Sequence, residues 1–302
     1  MYREFFGLNK EPFSLTPDTR FFLDSGPFKD ALETLLIAID NGEGFIKVTG
    51  EVGTGKTLLC RKLLNTVSEN IITCYIPNPN ISSKTLTVSI ANELGIKFPV
   101  SANEYSLQQL ITEKLMAYYQ DNKKIILCID EAQAMPDKTL EALRLLTNLE
   151  TEQSKLLQVI LFGQPELDEK LKSRHLRQFR QRVSFSINLC RLDMDTMIAY
   201  LSCRLMIAGY RGGELLPMAS LKLLHRYSRG IPRLINLIMH KALILAYGKG
   251  QRQLSPAIMK QAIADTEDAY AEQNQSSNRL KIVLSVLFII VTAVSVYFWA
   301  YL

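Results

Sequence analysis

The run Gly50-Glu51-Val52-Gly53-Thr54-Gly55-Lys56-Thr57 matches the spacing G-x-x-x-x-G-K-[ST] in full. Glycines lack a Cβ, so the backbone can close around a polyphosphate and take positive φ. Successive N–H groups and the N-terminus of the following helix then face the anion. The spacing predicts that these eight residues bind ATP, that Lys56 reaches the β- and γ-phosphates, and that the Thr57 hydroxyl ligates Mg²⁺. Read blandly, the same run is a glycine turn between a strand and a helix. The flanking segments FIKVT and LLCRKLLNTV supply the strand and helix that a phosphate loop requires. Downstream, the apolar run from Ile125 to Ile129 ends in two acids, Asp130 and Glu131. At the C-terminal edge of a parallel sheet Asp130 can hold Mg²⁺, directly or through water. Glu131 can polarise an attacking water as general base. Strands ending in surface carboxylates are common. The phosphate loop upstream turns this pair into a prediction of ATP hydrolysis.

These groups need elements to hold them. Short apolar runs at Phe45–Thr49, Ile71–Ile76, Ile125–Ile129, Leu156–Phe162 and Val183–Ile187 read as strands. Helical periodicity falls at 29–41 and, between the strands, near 56–68, 84–94, 106–120 and 136–150. Alternation of this kind predicts an α/β fold whose five-stranded parallel sheet is covered on both faces. After about Arg191 the strand signals stop, and 193–208, 218–228, 231–247 and 255–272 read as helices. Asp193 is placed as an N-cap, and Ser255-Pro256 as an N-cap with proline in the first turn. The predicted organisation is an N-terminal segment of the ATPase domain (1–43), an α/β core (44–191), a small all-helical domain (192–272), a polar linker (273–281) and a terminal apolar segment (282–302).

Composition narrows the class. Of 302 residues, 47% are hydrophobic and 22% charged, which excludes a disordered or fibrous chain. The net charge of +5 is too small to argue nucleic-acid binding by itself. Cysteines at 60, 74, 128, 190 and 203 show no CxxC or histidine-paired spacing, so zinc is not expected and a reducing compartment is. No apolar signal-peptide region follows Met1. Ile282–Leu302 carries 18 apolar residues of 21 and no charge, long enough to span a bilayer. Tyr297, Trp299 and Tyr301 fit an interfacial aromatic belt. Arg279 and Lys281 place residues 1–280 on the cytoplasmic side, so the expectation is a single-pass, C-terminally anchored protein of a bacterial inner membrane.

Taken together, YREFFGLNKEPFSLTPDTRFF, GFIKVTGEVGTGKTLL, IILCIDEAQAM, ILFGQPEL, LRQFRQRV and YSRGIPRLINLI resemble the AAA+ ATPases of the general secretion pathway A family over roughly residues 1–270. The resemblance implies a P-loop AAA+ core with a helical lid. It implies that Gln164 orients the lytic water, that Arg233 reaches the γ-phosphate from the lid, and that an arginine from 177–182 serves the neighbouring subunit's ATP. Arg177 is favoured, then Arg182, with Arg180 a third candidate. An arginine supplied in trans implies a homo-oligomer, and the family implies service to an envelope machine, a type IV-like pilus or secretion apparatus. Against these stand plainer roles: Gln164 as a helix-capping loop residue, Arg233 paired with a surface acid, and residues 174–182 as a solvated basic helix. The aromatics Phe5, Phe6, Phe13, Phe21 and Phe22 read as core before adenine-stacking groups. Many relatives continue past the membrane segment into a peptidoglycan-binding domain. This sequence ends at Leu302, so a cell-wall role is not expected of it.

Two rival functions share these motifs. A DNA-associated AAA+ ATPase of the transposition-regulator type would use the same loop and lid, but a membrane anchor argues against a genome-searching factor. A nucleotide-gated assembly scaffold would bind ATP with little turnover, and would more naturally lack the base that Glu131 provides.

Overall fold

The computed structural model describes residues 1–99, 101–149 and 155–269. The linker 273–281, the apolar segment 282–302 and the end of the last predicted helix lie outside them. No helix among the described residues is long and apolar enough to cross a membrane.

In chain order the helices are α1 (Tyr2–Phe6), α2 (Gly26–Asp40), α3 (Lys56–Thr66), α4 (Ser83–Glu93), α5 (Glu104–Gln120), α6 (Asp137–Leu146), α7 (Pro165–Leu171), α8 (Arg177–Arg182), α9 (Met194–Ile207), α10 (Met218–Ser228), α11 (Pro232–Gly248) and α12 (Pro256–Ala264). The strands are β1 (Phe45–Gly50), β2 (Ile71–Ile76), β3 (Lys124–Ile129), β4 (Gln158–Gly163) and β5 (Val183–Leu189). The chain divides into two compact units, Thr16–Arg191 and a helical unit of Met1–Leu15 with Leu192 onward.

Thr16–Arg191 is built on one parallel sheet of order β2-β3-β4-β1-β5. Val48 of β1 lies between Phe162 and Ile187, and Cys128 of β3 between Tyr75 and Ile160. Alternation along the central strands fills both faces. Ile125, Leu127, Ile129, Val159 and Leu161 join a core with residues of α4, α5 and α6. The intervening Ile46, Val48, Ile126, Cys128, Ile160 and Phe162 are equally buried, and α3 packs on β1 and β4. Burial on both sides explains why these strands read as continuous apolar runs, each large aliphatic side chain contributing about 1.5–3 kcal/mol. The exception is Lys47 in β1, whose ammonium is paired with Asp168 of α7.

The helical unit starts where the sequence signals it. Asp193 accepts from Thr196 N at 2.8 Å, and Ser255 caps α12 with Pro256 in the first turn. Residues 1–15 pack with these helices, while 16–43 of the predicted entry segment group with the sheet. The cause is a buried polar knot. Arg204 donates from Nε to Pro12 O and from Nη1 to Tyr200 Oη (2.9 Å), and Tyr200 Oη donates to Asn236 Oδ1 (2.9 Å). Phe6, Leu8 and Phe13 are buried with the N-terminal segment, and Asn9 N donates to Ala208 O at 2.8 Å. Leu192, the first residue of the longer segment, is held by Gly230: its N–H donates to Gly230 O at 2.8 Å.

Candidate active site

The phosphate loop is the turn from β1 into α3. Gly53 and Gly55 have φ of 81° and 101°, in the region that favours glycine. A Cβ on Gly50 would sit 2.8 Å from Thr54 Oγ1 and 2.9 Å from Leu189 O, so only glycine fits. Thr54 is buried and staples the loop by donating from Oγ1 to Glu51 O at 2.8 Å. No side chain caps the start of α3, which leaves its first N–H groups for an anion. Glu51 is gripped from the end of β5: Arg191 Nη2 lies 2.8 Å from Oε1, and Nε 3.0 Å from Oε2. This half-exposed pair contributes at most about 1 kcal/mol, but its fork geometry orients the loop.

Lys56 is buried, and its Nζ donates to Gly50 O (2.7 Å) and Glu51 O (2.8 Å). Burial lowers its pKa, while Glu131 and Asp130 oppose that shift. Beside it Thr57 Oγ1 donates to Asp130 Oδ2 at 2.7 Å, and Glu131 N donates to Asp130 Oδ1 at 2.9 Å. Burial raises the Asp130 carboxyl pKa, and these two hydrogen bonds pull against it. A hydroxyl and a carboxylate oxygen side by side are the hard donors that Mg²⁺ takes, the remaining positions going to water and phosphate. The donor set therefore fits magnesium.

Glu131 turns out of β3 with φ 52° and ψ 38°, left-handed for a residue with a Cβ. Its Oε2 accepts from Gln133 Nε2 at 2.5 Å and from Gln164 Nε2 at 3.0 Å. Gln133 also reaches β4's exit, its Oε1 accepting from Gln164 N at 3.1 Å. The structure thus brings Lys56, Thr57, Asp130, Glu131 and Gln164 together. Arg177 is exposed and Arg182 half-buried on α8; neither they nor Arg180 form an ion pair among the described residues. Arg233 is exposed in the first turn of α11, within the helical unit.

Residues 39–171 match the family model described as AAA domain. The chain is 41% identical over 254 residues to general secretion pathway protein A of Aeromonas hydrophila, a match covering 84% of this chain and 46% of that protein. The chain is an AAA protein related to general secretion pathway protein A. It spans about half the length of that curated relative. Solved structures support the fold. The ORC2 protein of Aeropyrum pernix superposes with a TM-score of 0.65 at 16% identity, over 85% of this chain and 72% of that one. Cdc6p of Pyrobaculum aerophilum gives 0.65 at 17%, over 84% and 70%. The Holliday junction branch migration motor RuvB of Thermotoga maritima gives 0.51 at 14%, over 80% and 70%.

Two residues of the candidate site escaped sequence reasoning. Gln133 follows the acidic pair and sits in a single 3₁₀ turn, Ala132–Ala134; its only signal was an amide two residues past Glu131. Arg191 is 140 positions from Glu51, and nothing local announces their contact.

Proposed function

We propose that this AAA ATPase hydrolyses ATP with Lys56, Thr57, Asp130 and Glu131, and that the cycle serves an envelope assembly machine. The observation that carries the reading is the Thr57–Asp130 pair beside a carboxylate, Glu131, that two amide side chains hold. The loop's N–H groups and Lys56 bind the phosphates. Magnesium, when bound, supplies charge neutralisation across the phosphate oxygens, and Thr57 and Asp130 would hold it. Water attacks the γ-phosphorus, the β–γ bridging P–O bond breaks, and Glu131 takes the water's proton before passing it to phosphate. Positioned general-base help of this kind contributes about 10²–10⁴-fold. Gln164, whose Nε2 donates to Glu131 Oε2, orients the water.

Arg233 and one of Arg177 and Arg182 complete the reading. Arg233 in the helical lid meets the γ-phosphate, and the α8 arginine meets the ATP of a neighbouring copy in a homo-oligomer, where such residues contribute about 10³–10⁵-fold. Ile282–Leu302 anchors the assembly in the inner membrane with residues 1–280 in the cytoplasm. Relatedness to general secretion pathway protein A and the apolar segment support service to a secretion apparatus or a type IV-like pilus, the mannose-sensitive haemagglutinin pilus being the finer reading. The test is steady-state ATP hydrolysis by the full chain in detergent across a protein concentration series, beside Lys56→Ala and Glu131→Gln. Mg²⁺-dependent turnover whose specific rate rises with concentration, and collapses in both variants, is expected. Negligible turnover by the parent despite tight ATP binding refutes the hydrolytic reading and leaves a nucleotide-gated scaffold.

A further inference from the structure

Glu131 is not held by its own strand alone. Gln133 Nε2 donates to Glu131 Oε2 at 2.5 Å, and Gln133's backbone carbonyl accepts from Lys170 Nζ at 3.3 Å. Lys170 Nζ also donates to Met135 O and lies 3.5 Å from Asp137 Oδ1. Asp137 Oδ2 in turn bonds His175 Nε2 at 2.6 Å, and that bond is the largest cause holding its carboxyl below the usual carboxylate range. His175 stands two residues before Arg177. One ammonium on α7 therefore ties down the whole turn from Gln133 to Asp137, and one histidine ties that turn to the start of α8.

We propose that Gln133, Lys170, Asp137 and His175 form a continuous positioning chain that sets the Glu131 carboxylate from the arginine-bearing segment 174–182. The proposal rests on the hydrolytic reading of Glu131 above and names how that site is regulated. Each link joins elements far apart in sequence: Gln133 and Lys170 are 37 positions apart, and Asp137 and His175 are 38. Among the described residues none of the three outer groups bonds to the Thr57–Asp130 pair. Their common destination is the backbone on which Gln133 is mounted. Two donors, Lys170 Nζ and His175 Nε2, converging on the carbonyls and carboxylate of a five-residue turn fix where the Gln133 amide points. That amide is what meets Glu131. If α8 takes a load from a neighbouring copy, the displacement enters the chain at His175 and leaves it at Glu131.

Spatial intermediacy alone is not coupling, so the test is a double-mutant cycle on the full chain. kcat and KM for Mg-ATP are measured for Gln133→Ala, Lys170→Met, His175→Gln and the pairwise combinations, with Lys170→Arg as the conservative rescue. Gln133→Ala is expected to lower kcat roughly ten- to a hundredfold, the fold-change of losing one hydrogen bond to a charged group, with KM within about twofold. Lys170→Met and His175→Gln lower kcat by smaller factors, Lys170→Arg restores it, and each double variant is no slower than Gln133→Ala alone. His175 is largely exposed, so its arm stands even if Lys170→Met fails to fold. Additive losses, or parental kcat in Lys170→Met and His175→Gln, overturn the chain. Glu131→Gln run in parallel separates the two readings: parental turnover there sinks the hydrolytic assignment, whereas collapse there with parental turnover in the outer variants sinks the chain alone.

Discussion

The phosphate cradle can be tested at one backbone position. Gly55 has φ 101° and ψ 14°. For alanine the left-handed region costs about 1–2 kcal/mol. The new Cβ would lie 3.0 Å from Phe28 Cε1, so the ring or the loop must give by a few tenths of an ångström. Phe28 is buried at 5% exposure and packs edge-on to Phe22, so the ring has little room to move. Overpacking of this kind adds about 1 kcal/mol or more. The sum for Gly55→Ala is about 2–4 kcal/mol, which corresponds to roughly a 30- to several-hundred-fold change in an equilibrium constant. Without nucleotide the loop is held by Thr54 Oγ1 on Glu51 O, Lys56 Nζ on Gly50 O and Glu51 O, and Arg191 on Glu51, and giving up part of these bonds sheds some of the strain. With nucleotide the cradle must close, so the cost falls on affinity. Titration calorimetry with Mg-ATP is expected to show that loss, while the melting temperature without nucleotide drops by a few degrees at most. A folded Gly55→Ala variant that binds Mg-ATP within threefold of the parent would falsify the assignment of these glycines to a closed cradle.

Two further predictions follow from buried polar groups. Burial raises the Asp130 pKa. An acid raised in the folded state contributes stability that is complete below the unfolded carboxylate's pKa and is lost as pH rises through the folded value, so at neutral pH the ionised group costs stability. Asp130→Asn is therefore expected to melt higher than the parent at pH 7.5 without nucleotide, to converge with it toward pH 4, and to lose Mg²⁺-dependent turnover; a lower midpoint at pH 7.5 refutes this. Arg204, 4% exposed, holds Pro12 O and Tyr200 Oη. Arg204→Met leaves those groups without a donor, at about 2–4 kcal/mol, and is expected to lower the denaturation midpoint and free residues 1–15 to limited proteolysis. An unchanged cleavage pattern there would count against the knot.

Much of this was legible in the sequence, and for physical reasons. β3 and β4 are buried on both faces, so they carry no alternation to confuse and read as near-continuous apolar runs, and β1 does the same but for Lys47. The phosphate loop is contiguous because one turn must wrap one anion. Asp193 and Ser255 announce their helices because capping is local. What stayed hidden is short or distant. α1, α7 and α8 have five to seven residues, too few for a helical period to show. The attachment of residues 1–15 to the helical unit depends on Arg204, some 190 positions away from Pro12 and Ser14. Gln133, Lys170 and Arg191 look like ordinary surface residues until the fold supplies their partners.

The strand order explains why the site exists at all. In β2-β3-β4-β1-β5, the three strands whose exits carry the candidate site residues are consecutive neighbours. Asp130 and Glu131 leave β3, Gln164 leaves β4, and the phosphate loop leaves β1. Neighbouring strands lie about 4.8 Å apart, so these exits fall within about 10 Å of one another whatever the loops do. Placing β1 between β4 and β5 also opens the crevice at the carboxyl edge where parallel sheets take ligands. Proximity alone does not aim a carboxylate, however. Glu131 spends about 1–3 kcal/mol on a left-handed backbone that an L-residue rarely adopts. Two amide hydrogen bonds to its Oε2, each about 1.5–3 kcal/mol to a charged acceptor, are sufficient to offset that cost. The strain persists only while Gln133 and Gln164 hold their places, and so the conformation of the Glu131 carboxylate is set by residues from outside its own strand.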